Sequence, residues 1–96
     1  MGKFGINKYP SDILEELARK HKTLRKKFKL TQGELAERSG VSLGSIKRFE
    51  STGQISLESL LKLAQILNRL NDFELVFKQE ENFKEIEKLF SDKTRM

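Results

Sequence analysis

Apolar residues recur along this chain at intervals of three and four, in stretches separated by short polar or glycine-bearing breaks. Such spacing puts them on one face of an α-helix. Leu14, Leu17, His21, Leu24 and Phe28 form the first stripe and predict a helix from about Asp12 to Lys27. Ser11 stands at its N-cap, acidic Asp12 and Glu15 follow, and cations crowd the other end, as the helix dipole favours. Thr31 and Glu34 form a capping box for a second helix, whose narrow apolar face is Leu35 and Ala36. Gly40, suited to a left-handed C-cap, ends it after Ser39. Val41 is expected in the buried turn, and Ser42 caps a third helix running from Leu43 to about Glu50. Its spacing turns Ile46 and Phe49 inward and Ser45, Lys47 and Arg48 outward.

After a Ser51-Thr52-Gly53 turn, Ser56 caps the most apolar helix. Leu57, Leu60, Leu61, Leu63, Ala64, Ile66 and Leu67 cover much of its circumference, which predicts a central position, and it fades near Asn68 to Leu70. The stretch DFELVF fits a short helix or a strand. Asn82 and Glu85 offer a further capping box, for a last helix with Phe83, Ile86, Leu89 and Phe90 on one side, as core or as a dimer surface. The pattern divides the chain into an N-terminal arm (1–10), a helical domain (11–70) and a C-terminal extension (71–96). The arm is disordered, lies on a ligand, or pairs with DFELVF as a strand. The fold class expected is all-α.

Composition narrows the chemistry. The 96 residues suit one domain with one modest core. With no cysteine and a single histidine, His21, neither a disulfide scaffold nor a thiolate or histidine-rich metal site is available. His21 sits in an apolar stripe and reads as a packed or half-exposed side chain rather than a ligand. No Ser/His/Asp or Cys/His set, phosphate-binding glycine loop or metal-ligand spacing is present, so no enzyme, cofactor or metal is expected. No apolar run approaches the roughly 20 residues that cross a membrane. MGKFGINKYP lacks the apolar core of a signal peptide, and a soluble, cytoplasmic protein is expected. The net charge of +5 is uneven: residues 1–50 hold twelve Lys and Arg against six Asp and Glu, and the remainder seven against eight. A basic first half points to a polyanionic partner.

The two short helices joined at Gly40 form a helix-turn-helix. LTQGELAERSGVSLGSIKRFE, followed by ISLESLLKLA, resembles the helix-turn-helix family of phage lambda-type repressors and Cro, also called the XRE family. The likeness runs from about Leu24 to Leu67 and rests on Gln32, Glu34, Leu35, Ala36, Gly40, Val41, Ser42, Ile46, Glu50 and the apolar fourth helix. It implies a lambda-repressor-like five-helix bundle that binds a double-stranded DNA operator as a homodimer, with the third helix in the major groove. Carried over by position, Gln32 would contact phosphate, and Ser42, Leu43, Gly44, Ser45, Lys47 and Arg48 would face the DNA. Arg25 and Glu50 match a family pair tying the first helix to the third. Leu43 and Gly44 depart from the pattern, because the family often places Gln or Asn there to read bases. Leu43 could pack on a thymine methyl and Arg48 could read guanine O6 and N7.

The function so implied is a sequence-specific regulator, most simply a dimeric repressor. RFESTGQISLESLLKLAQIL is also similar to small HipB-like regulators found beside HipA-like kinase toxins. On that reading the protein is an antitoxin that binds its toxin and represses its own operon. Its partner surface would then be the acidic, aromatic segment from Phe73 to Phe90.

Overall fold

A computed structural model of the protein describes residues 8–79. It comprises four α-helices, α1 (Pro10–Lys27), α2 (Gln32–Ser39), α3 (Leu43–Thr52) and α4 (Leu57–Ile66), followed by a 3-10 helix over Leu70–Leu75. The all-α expectation holds. The helix expected from Asn82, with Phe83, Ile86, Leu89 and Phe90, lies outside the described residues, as does most of the N-terminal arm.

Local chemistry sets most of the boundaries. Thr31 Oγ1 accepts from the Glu34 amide at 3.0 Å while the Glu34 carboxylate accepts from the Thr31 amide at 2.8 Å, completing the capping box. Ser42 and Ser56 cap α3 and α4 by accepting from the amides of Ser45 and Ser59. Gly40 closes α2 at φ 80°, a conformation that costs a residue with a Cβ roughly 1–2 kcal/mol. DFELVF resolves to helix: all but its last two residues belong to the 3-10 turn.

Three expectations need correction. The N-cap of α1 is Tyr9 rather than Ser11, because Pro10 takes the first helical position and Asp12 Oδ2 accepts the Tyr9 amide at 2.9 Å. Ser51 and Thr52 belong to α3 rather than to a turn. Their hydroxyls donate back to the Arg48 carbonyl, and the left-handed break falls on Gly53, at φ 83°. Finally, α4 is not central. Leu63, Ala64 and Leu67 are buried, but Leu57 is 65% exposed, because α4 meets only α2 and the 3-10 helix closely among the described residues.

The core gathers Leu35 of α2, Ile46 and Phe49 of α3, and Leu63 and Leu67 from α4 and its end, all fully buried, with Ala18, Leu30 and Val41 around them. Full burial of each large side chain is worth about 1.5–3 kcal/mol. That packing is what holds helices of eight to ten residues, which are too short to persist alone. It fixes α3 by its inner face and leaves its outer face free.

Candidate nucleic-acid interface

The outer face of α3 begins at its first turn. This turn carries no acidic residue, whereas α1, α2 and α4 open with Asp12, Glu34 and Glu58. The partial positive charge of the α3 N-terminus is therefore left without an acidic side chain, as suits an approaching phosphate. Leu43 and Gly44 are exposed there, and a Cβ on Gly44 would meet nothing within 4 Å. Backbone can thus come close to a partner surface at this point. Lys47 is exposed and has no ion-pair partner among the described residues.

Other members of the site are already engaged. Ser42 donates its hydroxyl proton to Ser45 Oγ at 2.9 Å while accepting the Ser45 amide. A serine has one proton to give, so Ser45, half-buried, retains the free donor of the pair. Arg48 is exposed, and its guanidinium donates to Gln54 Oε1 at 2.9 Å. Gln54 lies just past Gly53 and was not foreseen. Nothing in the six-residue spacing signals this pair, because only the left-handed turn at Gly53 brings the two side chains together. A guanidinium has five N–H donors, so this bond orients Arg48 without exhausting it.

Gln32, at the first position of α2, is half-buried, and its amide donates to Glu50 Oε1 at 2.9 Å. One N–H of the side-chain amide is used, and one stays available to a phosphate. Glu50 is the hub of a buried network. Arg25 makes a forked pair with it, Nε to Oε2 and Nη2 to Oε1, both at 2.9 Å, and donates from Nη1 to the Leu30 carbonyl at 2.7 Å. The pair expected between the first and third helices is present and buried, with Arg25 6% exposed. His21 Nδ1 lies 2.8 Å from Glu50 Oε2, a contact the sequence reading missed although His21 and Arg25 are four apart on one helical face.

Electrostatics fix the protonation states. Burial pushes the Glu50 carboxyl upward. The hydrogen bonds from Arg25 and Gln32 and the charges of Arg25 and His21 outweigh it, leaving the group below the ordinary glutamate range. Burial pushes the His21 imidazole below the ordinary histidine value, against the opposing pull of Glu50. At neutral pH Glu50 is therefore ionised and His21 neutral, with Nδ1–H donating. His21 Nε2 is buried without a hydrogen-bond partner among the described residues, while the ring meets Phe49 edge-on at 5.0 Å.

The arrangement is thus two short helices around a left-handed glycine, the second held rigid by its core face and displaying a basic, acid-free front. A family model described as Helix-turn-helix matches residues 22–73, more than half of the chain. The chain belongs to the lambda-repressor-like helix-turn-helix family. That family consists of DNA-binding transcription regulators and is not typically enzymatic. The helix-turn-helix units of this member are α2 and α3, and its matched region takes in every expected DNA-facing residue. No curated protein and no solved structure matches the chain. Among the described residues, no helix is long and apolar enough to cross a membrane.

Proposed function

We propose that this regulator is a repressor that binds a palindromic operator as a homodimer, with α3 of each protomer in the major groove and half-sites about one helical turn apart. The observation that carries the reading is the exposed front of α3, where Leu43, Gly44, Lys47 and Arg48 stand over the buried Ile46 and Phe49. Lys47, the remaining Gln32 N–H and the α3 N-terminus position the protein on phosphates. Arg48 reads guanine and Leu43 a thymine methyl. Ser45 supplies a short hydroxyl donor between them.

The dimer reading draws on the run Leu75-Val76-Phe77, which is exposed throughout and reaches 99% at Phe77. Phe77 also takes φ 61°, a conformation rare for an aromatic residue, so this part of the chain turns sharply with its apolar side chains in solvent. The same run favours a second reading, in which the protein is an antitoxin and the segment from Phe73 to Phe90 receives a HipA-like kinase. Phe77→Asp separates the two without touching the core. A dimer contact predicts weaker operator binding by the variant. A toxin contact predicts unchanged operator binding and loss of toxin capture.

The regulator reading is tested by selecting bound fragments from the source genome with wild type and Arg48→Ala in parallel. Wild type should enrich a palindrome, and the variant should lose or relax one position in each half-site. Enrichment of no sequence by either protein overturns base reading by α3.

A further inference from the structure

A closed circuit of hydrogen bonds begins and ends on Arg48. Its Nη2 donates to Gln54 Oε1 at 2.9 Å, the Gln54 backbone amide donates to Thr52 Oγ1 at 3.1 Å, and the Thr52 hydroxyl donates to the Arg48 carbonyl at 2.7 Å. The turn inside the circuit is fixed from two sides. The Gly53 amide donates to the Phe49 carbonyl at 2.7 Å, and Gly53 is buried so closely on Leu14 of α1 that a Cβ would lie 2.8 Å from the Leu14 backbone. The backbone beneath Gln54 is thus held by α1 and α3, although the side chain itself is exposed.

We infer that Gln54 is a specificity-determining positioning residue, whose neutral amide oxygen aims the Arg48 fork at one guanine. This role rests on the proposed reading of guanine by Arg48. A guanidinium has only N–H groups to offer, so the end of the Gln54 amide that faces it is the oxygen. Glutamine reads adenine by giving both ends of its amide to one base. Here the oxygen is held by Arg48, so Gln54 serves another residue's contact instead of making that one. The acceptor is also uncharged. Arg48 has no carboxylate partner among the described residues, and it keeps its full charge for DNA while its direction is set. A carboxylate in the same place would grip the fork more tightly and offset that charge. The fork's other N–H groups remain for guanine O6 and N7. Ordering one long side chain during binding costs a factor of roughly two to twelve in affinity. Holding Arg48 beforehand removes that cost for the base at which it is aimed.

The test selects a randomised DNA library with full-length wild type, Arg48→Ala, Gln54→Met and Gln54→Glu, then measures affinity for the recovered site and its single-base variants. Methionine keeps the length and removes the acceptor, whereas glutamate keeps the acceptor and adds a charge. Arg48→Ala should abolish guanine preference at one position of each half-site. Gln54→Met should weaken preference at that same position by roughly two- to twelve-fold and add nothing further in the Arg48→Ala background. It should leave the other positions, the salt slope and Tm unchanged, as its exposure allows. Gln54→Glu should keep more of the guanine preference than Gln54→Met does, while weakening specific and non-specific binding alike by repelling phosphate. Full guanine preference in Gln54→Met, relaxation at a different base, or a uniform loss across sequences would each overturn this role and leave the guanine reading standing. The last two results would make Gln54 a direct contact. If wild type recovers no site, or Arg48→Ala relaxes no position, the guanine reading itself fails and the role of Gln54 goes with it.

Discussion

Replacing Glu50 by alanine removes the carboxylate that compensates the Arg25 guanidinium, and the structure sets the scale of the damage. Arg25 is 6% exposed, and the Glu50 side chain is buried to a similar degree. A surface pair is worth at most about 1 kcal/mol, but breaking a buried pair by removing one partner costs about 3–5 kcal/mol, because the remaining charge stays out of water. Here the loss also strips Gln32 and His21 of their acceptor. For a domain of this size each kcal/mol lowers Tm by roughly 4–8 °C, so Glu50→Ala should fall by roughly 12 °C at the least. Circular dichroism during heating and in urea gives both numbers. The double variant Arg25→Met/Glu50→Leu, which removes both charges and keeps apolar volume, should recover most of that loss. A Glu50→Ala loss below about 1 kcal/mol would refute the argument, since it would show the network to be as hydrated as a surface pair.

Other outcomes follow from single contacts. A Cβ on Gly53 would lie 2.8 Å from the Leu14 backbone and side chain, whereas one on Gly40 would meet open space, although both residues sit near φ +80°. Gly40→Ala should therefore cost only the roughly 1–2 kcal/mol of the left-handed backbone, and Gly53→Ala clearly more, by urea titration. His21 titrates below its unfolded value, so the stability it contributes is complete above about pH 6.5 and is lost as pH falls through its folded pKa. Tm of wild type should drop between pH 7.5 and pH 5.5, and that of His21→Phe should drop less. Gly44→Ala should stabilise the free protein by about 0.5–1 kcal/mol, as glycine within a helix is unfavourable, yet weaken operator binding measured by fluorescence anisotropy. Lys47→Ala should lower the slope of log affinity against log salt by about 1 and leave sequence preference unchanged.

Where one residue's chemistry decides an element's end, the sequence was readable except at Ser11, displaced as N-cap by Tyr9 and Pro10, and at the end of α3, which runs on to Gly53. Thr31 and Glu34, Ser42, Ser56 and Gly40 each act within four positions of themselves, and all fall where the pattern put them. Arg25 and Glu50 were readable only through family likeness, because nothing in a 25-residue separation announces a salt bridge. Reading failed where the answer depended on what surrounds an element. Leu57 has the same chemistry as Leu63, and only the absence of a close neighbour on its side of α4 among the described residues leaves it exposed. His21 looked like one more member of an apolar stripe until α3 brought Glu50 to 2.8 Å. Gln54 was invisible as a partner of Arg48 for a similar reason, since the φ of Gly53 sets where it lands.

The buried network and the proposed DNA-facing front of α3 are mechanically one object, and this separates two ways in which a variant would lose operator binding. Glu50 lies two residues after Arg48 on the same helix, and successive helical residues are set about 100° apart, so one faces the core while the other faces out. Through Glu50, α3 is tied to α1 by Arg25 and His21 and to the start of α2 by Gln32. A variant that loosens these ties without unfolding the domain, such as Glu50→Gln, keeps Lys47 and the α3 N-terminus near phosphate, where long side chains tolerate displacement. It does not keep Arg48 in the register that the proposed pair of parallel bonds to one guanine requires. Glu50→Gln should therefore retain most non-specific affinity and most of the salt slope, while the ratio of specific to non-specific binding collapses. Equal losses of both would mean that α3 is positioned by its core face alone and that the network serves stability only.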